Sequence, residues 1–170
     1  MKVNIADLAE NAGKEVAFSF QEAAESLGVD AADYRIEGEV SVAGRVLYTG
    51  RCWRAEGTIR CMRSFACDRC LAPCEEAQEH AFSEEFQRAG EDLGENEEAN
   101  VFTGDAIDLT ELVRDTILAA QPLSKLCKPD CKGLCAVCGA NRNEGDCGCD
   151  RHVVDPRLAA LQDLWREAKE

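Results

Sequence analysis

Residues 34–65 read Y-R-I-E-G-E-V-S-V-A-G-R-V-L-Y-T-G-R-C-W-R-A-E-G-T-I-R-C-M-R-S-F, and the stretch alternates. Ile36, Val40 and Val42 share one face, opposite Arg35, Glu37, Glu39 and Ser41. Successive side chains of a β-strand point to opposite sides, so a period of two marks a strand with one dry and one wet face. Val46-Leu47-Tyr48-Thr49 and Trp53 to Met62 continue the pattern, and Gly44, Gly50 and Gly57 read as turns or bulges within it. The stretch predicts an antiparallel meander.

Outward from it, Ala77 to Phe86 predicts a further strand, with His80, Phe82 and Phe86 on one face. Toward the N-terminus, Lys2 to Ile5 and Val16 to Phe20 predict short strands around a turn at Asn11 to Lys14. Gln21 to Leu27 suits one or two helical turns, stopped by Gly28. Residues 88–100, R-A-G-E-D-L-G-E-N-E-E-A-N, are acidic and rich in turn formers, which predicts a solvated, mobile loop. Asp108-Leu109-Thr110-Glu111 has the form of a capping box, with Asp at N-cap and Glu at N3. Leu109, Leu112, Val113, Thr116, Ile117 and Ala120 then trace one helical face up to Pro122. Asp155-Pro156 repeats the start signal, and Leu158, Leu161, Leu164, Trp165 and Ala168 form an apolar stripe.

The expected fold is α+β: an antiparallel, partly barrel-like β-sheet with a long helix, a C-terminal Cys-rich zinc ribbon and a terminal helix. The expected divisions are a β-rich part with a CxxC turn over 1–88, an acidic mobile loop over 89–106, and a capped helix over 107–122. A Cys-rich metal ribbon over 123–150 and a C-terminal helix over 155–168 follow, all packed as one domain.

The chain has 170 residues, of which 45% are hydrophobic, and contains no apolar run of 18, so no membrane span is expected. Met1 to Leu8 lacks the apolar core of a signal peptide, which predicts a cytoplasmic protein whose thiols stay reduced. The net charge of −14 disfavours broad binding to phosphate backbones and suits basic partners such as ribosomal proteins.

Eleven cysteines are present, and six of them fall between Cys127 and Cys149 in C-K-P-D-C-K-G-L-C-A-V-C-G-A-N-R-N-E-G-D-C-G-C. Clustered thiols in a reducing compartment more often bind metal than each other. Cys135-Ala136-Val137-Cys138-Gly139 has the form of a zinc knuckle: a tight turn aims both sulfurs at one ion, and the glycine can take positive φ. Structural zinc takes four ligands, and three pairs are on offer: Cys127/Cys131, Cys135/Cys138 and Cys147/Cys149. Cys135 and Cys138 are the surest ligands, and Cys131, Cys147 and Cys149 compete for the remaining places. Iron–sulfur spacing is not matched, and no HExxH motif marks a catalytic zinc. His152 is read as a surface residue and a minor ligand candidate.

Cys67-Asp68-Arg69-Cys70 is a second pair, with Cys74 beyond it. Cys67 and Cys70 could complete a site with Cys127 or another distant thiol, form a second site, or be reduced thiols in a turn. Cys52 and Cys61 lie on strands and are read as small buried apolar residues. Charge is uneven: residues 75–100 carry ten acids and one base, while Lys125, Lys128, Lys132 and Arg142 face one acid, Asp130, in 125–143. These four bases are candidates for RNA or partner contact, or they offset thiolate charge. No nucleophilic triad, P-loop or dinucleotide fingerprint is present, so neither catalytic residues nor a small-molecule substrate is expected.

The order of these features resembles a known family. The signatures are Cys67-x-Arg69-Cys70-Leu71-x-Pro73, an acidic loop, Ile107-Asp108-Leu109, Leu126-Cys127-x-x-x-Cys131-Lys132-Gly133-Leu134-Cys135-x-x-Cys138-Gly139-x-Asn141-x-Asn143, Cys147-x-Cys149 and Asp155-Pro156-Arg157-Leu158. Together they resemble the YceD-like family, the large ribosomal RNA subunit accumulation proteins of bacteria and plastids. The resemblance implies a non-enzymatic factor in 23S ribosomal RNA accumulation and large-subunit assembly, acting on a ribosomal protein or precursor RNA. Ala136, where proline is usual, and the extra Cys74 are departures. The alternative is a zinc-ribbon adaptor for a non-ribosomal protein.

Overall fold

The computed structural model describes residues 1–8, 13–31, 34–90, 100–150 and 157. The chain divides into two compact units: a sheet unit of Met1–Ala66 and Pro73–Lys125, and a cysteine unit of Cys67–Ala72 and Leu126–Glu170. The expected helix over 155–168 and most of the acidic run lie outside the described residues, as do residues 11 and 12 of the first turn.

The sheet unit runs β1 (Lys2–Asn4), a 3-10 turn (Ala6–Leu8), β2 (Glu15–Ala23), α1 (Ala24–Leu27), β3 (Tyr34–Tyr48), β4 (Trp53–Ala66), β5 (Pro73–Arg88), β6 (Asn100–Phe102), β7 (Ala106–Asp108) and α2 (Thr110–Ala119). One five-stranded sheet has the order β2-β3-β4-β5-β6, and β1 pairs with β7 separately. The pairs from β2 to β5 are antiparallel, as the alternation predicts, while β6 joins β5 in parallel. The barrel-like expectation is corrected: a barrel requires the last strand to bond back to the first, and among the described residues β2 and β6 are the outer strands and do not pair with each other.

Period-two patterning holds along β3 and β4. Ile36, Val40, Val42 and Val46 are buried from β3, and Ala55, Ile59 and Phe65 from β4. They join Ile5, Leu8, Ile107, Leu109, Val113 and Ile117 in one hydrophobic cluster. Gly50 lies in the β3–β4 turn at φ +93, as expected, while Gly44 and Gly57 play a different part. Gly38 takes φ +68 where the β3–β4 register shifts between Glu37 and Ser41, so the bulge sits there. Gly44 and Gly57 lie mid-strand and directly opposite each other, flanked by Phe18 on β2 and Phe82 on β5. The two rings reach across the glycine pair and stack with centroids 6.5 Å apart. A Cβ on Gly57 would fall 2.9 Å from Phe82 Cζ and 2.5 Å from the Ala43 carbonyl oxygen. These positions are small because aromatic rings cover them.

The long helix over 107–122 is also corrected. Helix α2 has ten residues, and Ala106–Asp108 is strand β7, with Ile107 opposite Val3. Ile107 and Leu109 are both fully buried, a period-two pair that the capping signal masked. Asp108 Oδ1 accepts bonds from the Thr110 N–H at 3.0 Å and the Thr110 hydroxyl at 2.6 Å, so it caps from one residue before the N-cap position, Leu109. At the other end, Gln121 Nε2 donates to the Ile117 carbonyl at 2.8 Å. Among the described residues, no helix is long and apolar enough to cross a membrane.

Candidate metal centre

Two cysteine turns in the cysteine unit are built alike. At Cys135–Ala140, the Cys135 carbonyl accepts the Gly139 N–H at 2.8 Å, and the Cys135 N–H donates to the Ala140 carbonyl at 2.8 Å. At Cys67–Ala72, the Cys67 carbonyl accepts the Leu71 N–H at 2.8 Å, and the Cys67 N–H donates to the Ala72 carbonyl at 2.9 Å. The residue after the second Cys is left-handed in both, Gly139 at φ +74 and Leu71 at φ +58. A left-handed residue there ends the turn, a place that favours glycine.

Each turn is one half of a four-sulfur set. Cys67 and Cys70 gather with Cys127 and Cys131, and Cys135 and Cys138 with Cys147 and Cys149; within each set the sulfurs lie within 4.8 Å of one another. Cys67 Sγ is 3.8 Å from Cys131 Sγ, and Cys70 Sγ is 3.6 Å from Cys127 Sγ. A disulfide would need about 2.05 Å. Sulfurs tetrahedrally placed about 2.3 Å from zinc are separated by about 3.8 Å. The donor set therefore fits a tetrahedral thiophilic ion. Four protein sulfurs fill its coordination, leaving no open position for a substrate or water.

The same crowding sets the acidities. The Cys138 and Val137 backbone N–H groups, helped by the Cys147 thiol, bring Cys135 down to about 6. The Cys138 and Cys147 thiols drive Cys149 up to about 12. Burial opposes ionisation of Cys67, but the backbone N–H groups of Cys127, Cys70 and Arg69 outweigh it and lower that thiol to about 6. Burial first, then the neighbouring Cys131, Cys70 and Cys67, hold Cys127 up at about 12. Cys131 is lowered as well, chiefly by the Asn143 amide bond, so thiolates form readily at Cys135 in one set and at Cys67 and Cys131 in the other. The last thiol of each set resists for want of a counter-charge, which a divalent cation supplies.

The six ribbon cysteines, read from sequence as competing for four places, thus fall into different sets, with Cys67 and Cys70 completing the set of Cys127 and Cys131. Cys74 belongs to neither; it sits on β5 opposite Phe65, against the hydrophobic cluster. Cys52 and Cys61 are buried in the sheet unit. His80 lies on β5, and His152 is outside the described residues.

Three residues of the quoted signatures gain a role only in the structure. Asn143 Nδ2 donates to Cys131 Sγ at 3.3 Å, while Asn143 Oδ1 accepts the Lys132 N–H at 2.9 Å. Arg69 Nη1 donates to the Cys131 carbonyl at 3.0 Å, and the Arg69 carbonyl accepts the Leu134 N–H at 3.1 Å. Gly133, at φ +70, lets that approach happen: a Cβ there would lie 3.0 Å from the Arg69 carbonyl oxygen. Leu71 is the third, its slot in the turn matching that of Gly139. The shared offset from a CxxC pair was its only sequence signal.

Of the candidate contact residues, Lys128 and Lys132 are exposed, and Arg142 is half-buried with Nη1 bonded to the Lys132 carbonyl at 3.2 Å. Lys125, the fourth of these candidates, is buried. Lys132 and Arg142 line a cleft of about 230 Å³ that they share with Glu144 and Asp146, so the basic face is narrower than the sequence count implies.

A sequence profile of the large ribosomal RNA subunit accumulation protein YceD matches residues 55–165. The chain belongs to the YceD family. The matched stretch contains all eight cysteines of the two sets. An uncharacterized protein of Mycobacterium tuberculosis is 31% identical over 135 residues, 78% of this chain and 60% of its own length. The chain thus spans about three fifths of the length of that relative. The chloroplastic large ribosomal RNA subunit accumulation protein YCED homolog 1 of Arabidopsis thaliana is 31% identical over 38% of this chain and 20% of its own length. Its Zea mays counterpart is 38% identical over 35% of this chain and 20% of its own length. No solved structure matches.

Proposed function

We propose that this protein is a non-enzymatic, cytoplasmic factor in large ribosomal subunit biogenesis that supports the accumulation of 23S ribosomal RNA. The observation that carries the reading is the family match across both cysteine sets, in a family named for that process. Closed four-sulfur geometry supports the non-enzymatic part, since structural sites of this kind leave no coordination place for a reaction. Structural zinc in the ribbon, held by Cys135, Cys138, Cys147 and Cys149, would order the segment carrying Lys128, Lys132 and Arg142. Through these the protein would meet precursor large-subunit RNA or a ribosomal protein. At −14 overall, long-range attraction favours a basic protein, and the local bases would serve short-range contact.

Deletion of the gene, followed by measurement of the 23S to 16S ratio and gradient sedimentation of the tagged protein, tests this. A lowered ratio and co-sedimentation with large-subunit precursors are expected. An unchanged ratio together with no ribosomal association would overturn the proposal.

A further inference from the structure

We infer that the chain carries a second metal ion, held by Cys67, Cys70, Cys127 and Cys131, which fastens the Cys67–Ala72 turn to the ribbon. This extends the zinc reading of the ribbon and is independent of the ribosomal role. Four observations converge on it. The turn repeats, bond for bond, the backbone pattern of the Cys135 knuckle. Its sulfurs meet those of Cys127 and Cys131 at distances that suit a shared tetrahedral ion and are far too long for disulfides.

The third observation is Leu71. A non-glycine residue at positive φ is disfavoured, and this one is also 65% exposed, so its own packing does not hold it there. The turn adopts the knuckle conformation against local preference, which requires something beyond the turn to select it. The fourth is the lack of an apolar core among the described residues of this unit. In the described part of the cysteine unit, the buried hydrophobic side chains are Cys67, Cys70, Cys131 and Cys135 alone. Folded segments without an apolar core need a metal or covalent ties.

The residues around this set suit a ligated ion. Asn143 aims an amide N–H at Cys131 Sγ, the usual outer support of a metal thiolate. Arg69 acts as a positioning residue: its guanidinium and carbonyl bond the ribbon at Cys131 and Leu134, fixing the CxxC turn in register. Four thiolates on one divalent cation leave two negative charges, which a neighbouring arginine offsets.

Native mass spectrometry of the full chain, expressed with zinc, gives the test. Two zinc ions per chain are expected, falling to one in Cys70→Ser and in Cys127→Ser, one in Cys138→Ser, and none in the Cys70→Ser/Cys138→Ser double variant. Cys74→Ser should keep both. A wild-type chain with one ion, retained in Cys70→Ser and lost in Cys138→Ser, overturns this inference and leaves the ribbon zinc standing. A folded chain with no ion overturns both. Should the serine variants fail to fold, Co2+ titration of the wild-type chain decides: tetrathiolate absorption growing to two equivalents supports the second site, and saturation at one rejects it.

Discussion

The sheet unit and the cysteine unit solve the same problem by different means. The sheet unit buries a continuous cluster from Val3 to Ile117, in which Ile5, Val40, Val42, Val46, Ile59 and Ile107 are fully enclosed. None of that cluster comes from residues 67–72 or 126–150. There, the chain converges on sulfur. Apolar burial is non-directional and tolerates substitution of similar volume, whereas four sulfurs around a point demand each ligand. A chain segment rich in Gly, Asn, Asp and Lys can therefore keep one shape without a hydrophobic core, provided an ion is present.

Metal removal separates the two regimes most strongly. A high-affinity chelator should abolish amide protection across 67–72 and 126–149 while β3, β4 and β5 stay protected, as read by hydrogen exchange. Structural zinc contributes roughly 10 kcal/mol or more to folding such segments. The Cys135 set, with Cys138 exposed and Cys147 and Cys149 half-buried, should yield its ion first, since Cys67, Cys70 and Cys131 are buried. Uniform loss of protection across both units would break the comparison.

Within the sheet unit, Gly57→Val should be the most damaging small change. Its side chain would collide with Phe82 and the Ala43 carbonyl, at a cost of about 1–3 kcal/mol. Chemical denaturation measures this, and the zinc content of the variant should stay at the wild-type value. In the cysteine unit, Asn143→Ala should weaken metal binding about 10–100-fold at the Cys131 set alone. Competition with a chromophoric chelator reads the two sites separately, and equal weakening of both would contradict the assignment of Asn143.

The twin knuckles allow a finer contrast. Gly139→Ala forces a side chain into φ +74, while Leu71→Gly relieves φ +58. The first should cost about 1 kcal/mol and the second should be neutral or stabilising by somewhat less, measured as shifts in thermal unfolding of the zinc-loaded protein. Smallest is the cap of α2. Burial opposes ionisation of Asp108, but the Thr110 hydroxyl and N–H bonds outweigh it and hold the carboxyl below its usual 3.8. Its contribution is fully present above that value and is lost as pH falls through the lower folded-state value. Asp108→Asn should remove this acid-side dependence and lower stability by about 0.5–1 kcal/mol; identical acid unfolding curves would refute the assignment.

Much of the sheet was legible because alternation is a local property. Tyr34–Tyr48 and Trp53–Ala66 show it directly, and their pairing follows from a short connection. Ala106–Asp108 was not legible, since three residues carry no period and the strand exists only through its partner β1, over a hundred positions earlier. Gly44 and Gly57 misled for a related reason: glycine within a strand reads as a break until the rings of Phe18 and Phe82 are seen to cover it. The ribbon knuckle was recognisable from Cys135-x-x-Cys138-Gly139, and the matching turn was obscured by Leu71 in the glycine slot.

Residue type and spacing by themselves determined that this chain is built on antiparallel strands and carries clustered soft ligands, because side-chain period and thiol chemistry are written in neighbouring positions. Tertiary structure alone decided that the sheet stays open, that α2 is short, and that eight cysteines sort four and four. Sorting depends on which sulfurs come within about 4 Å through space. Cys67 and Cys131 lie 64 positions apart along the chain and 3.8 Å apart in the fold, a distance no local pattern encodes.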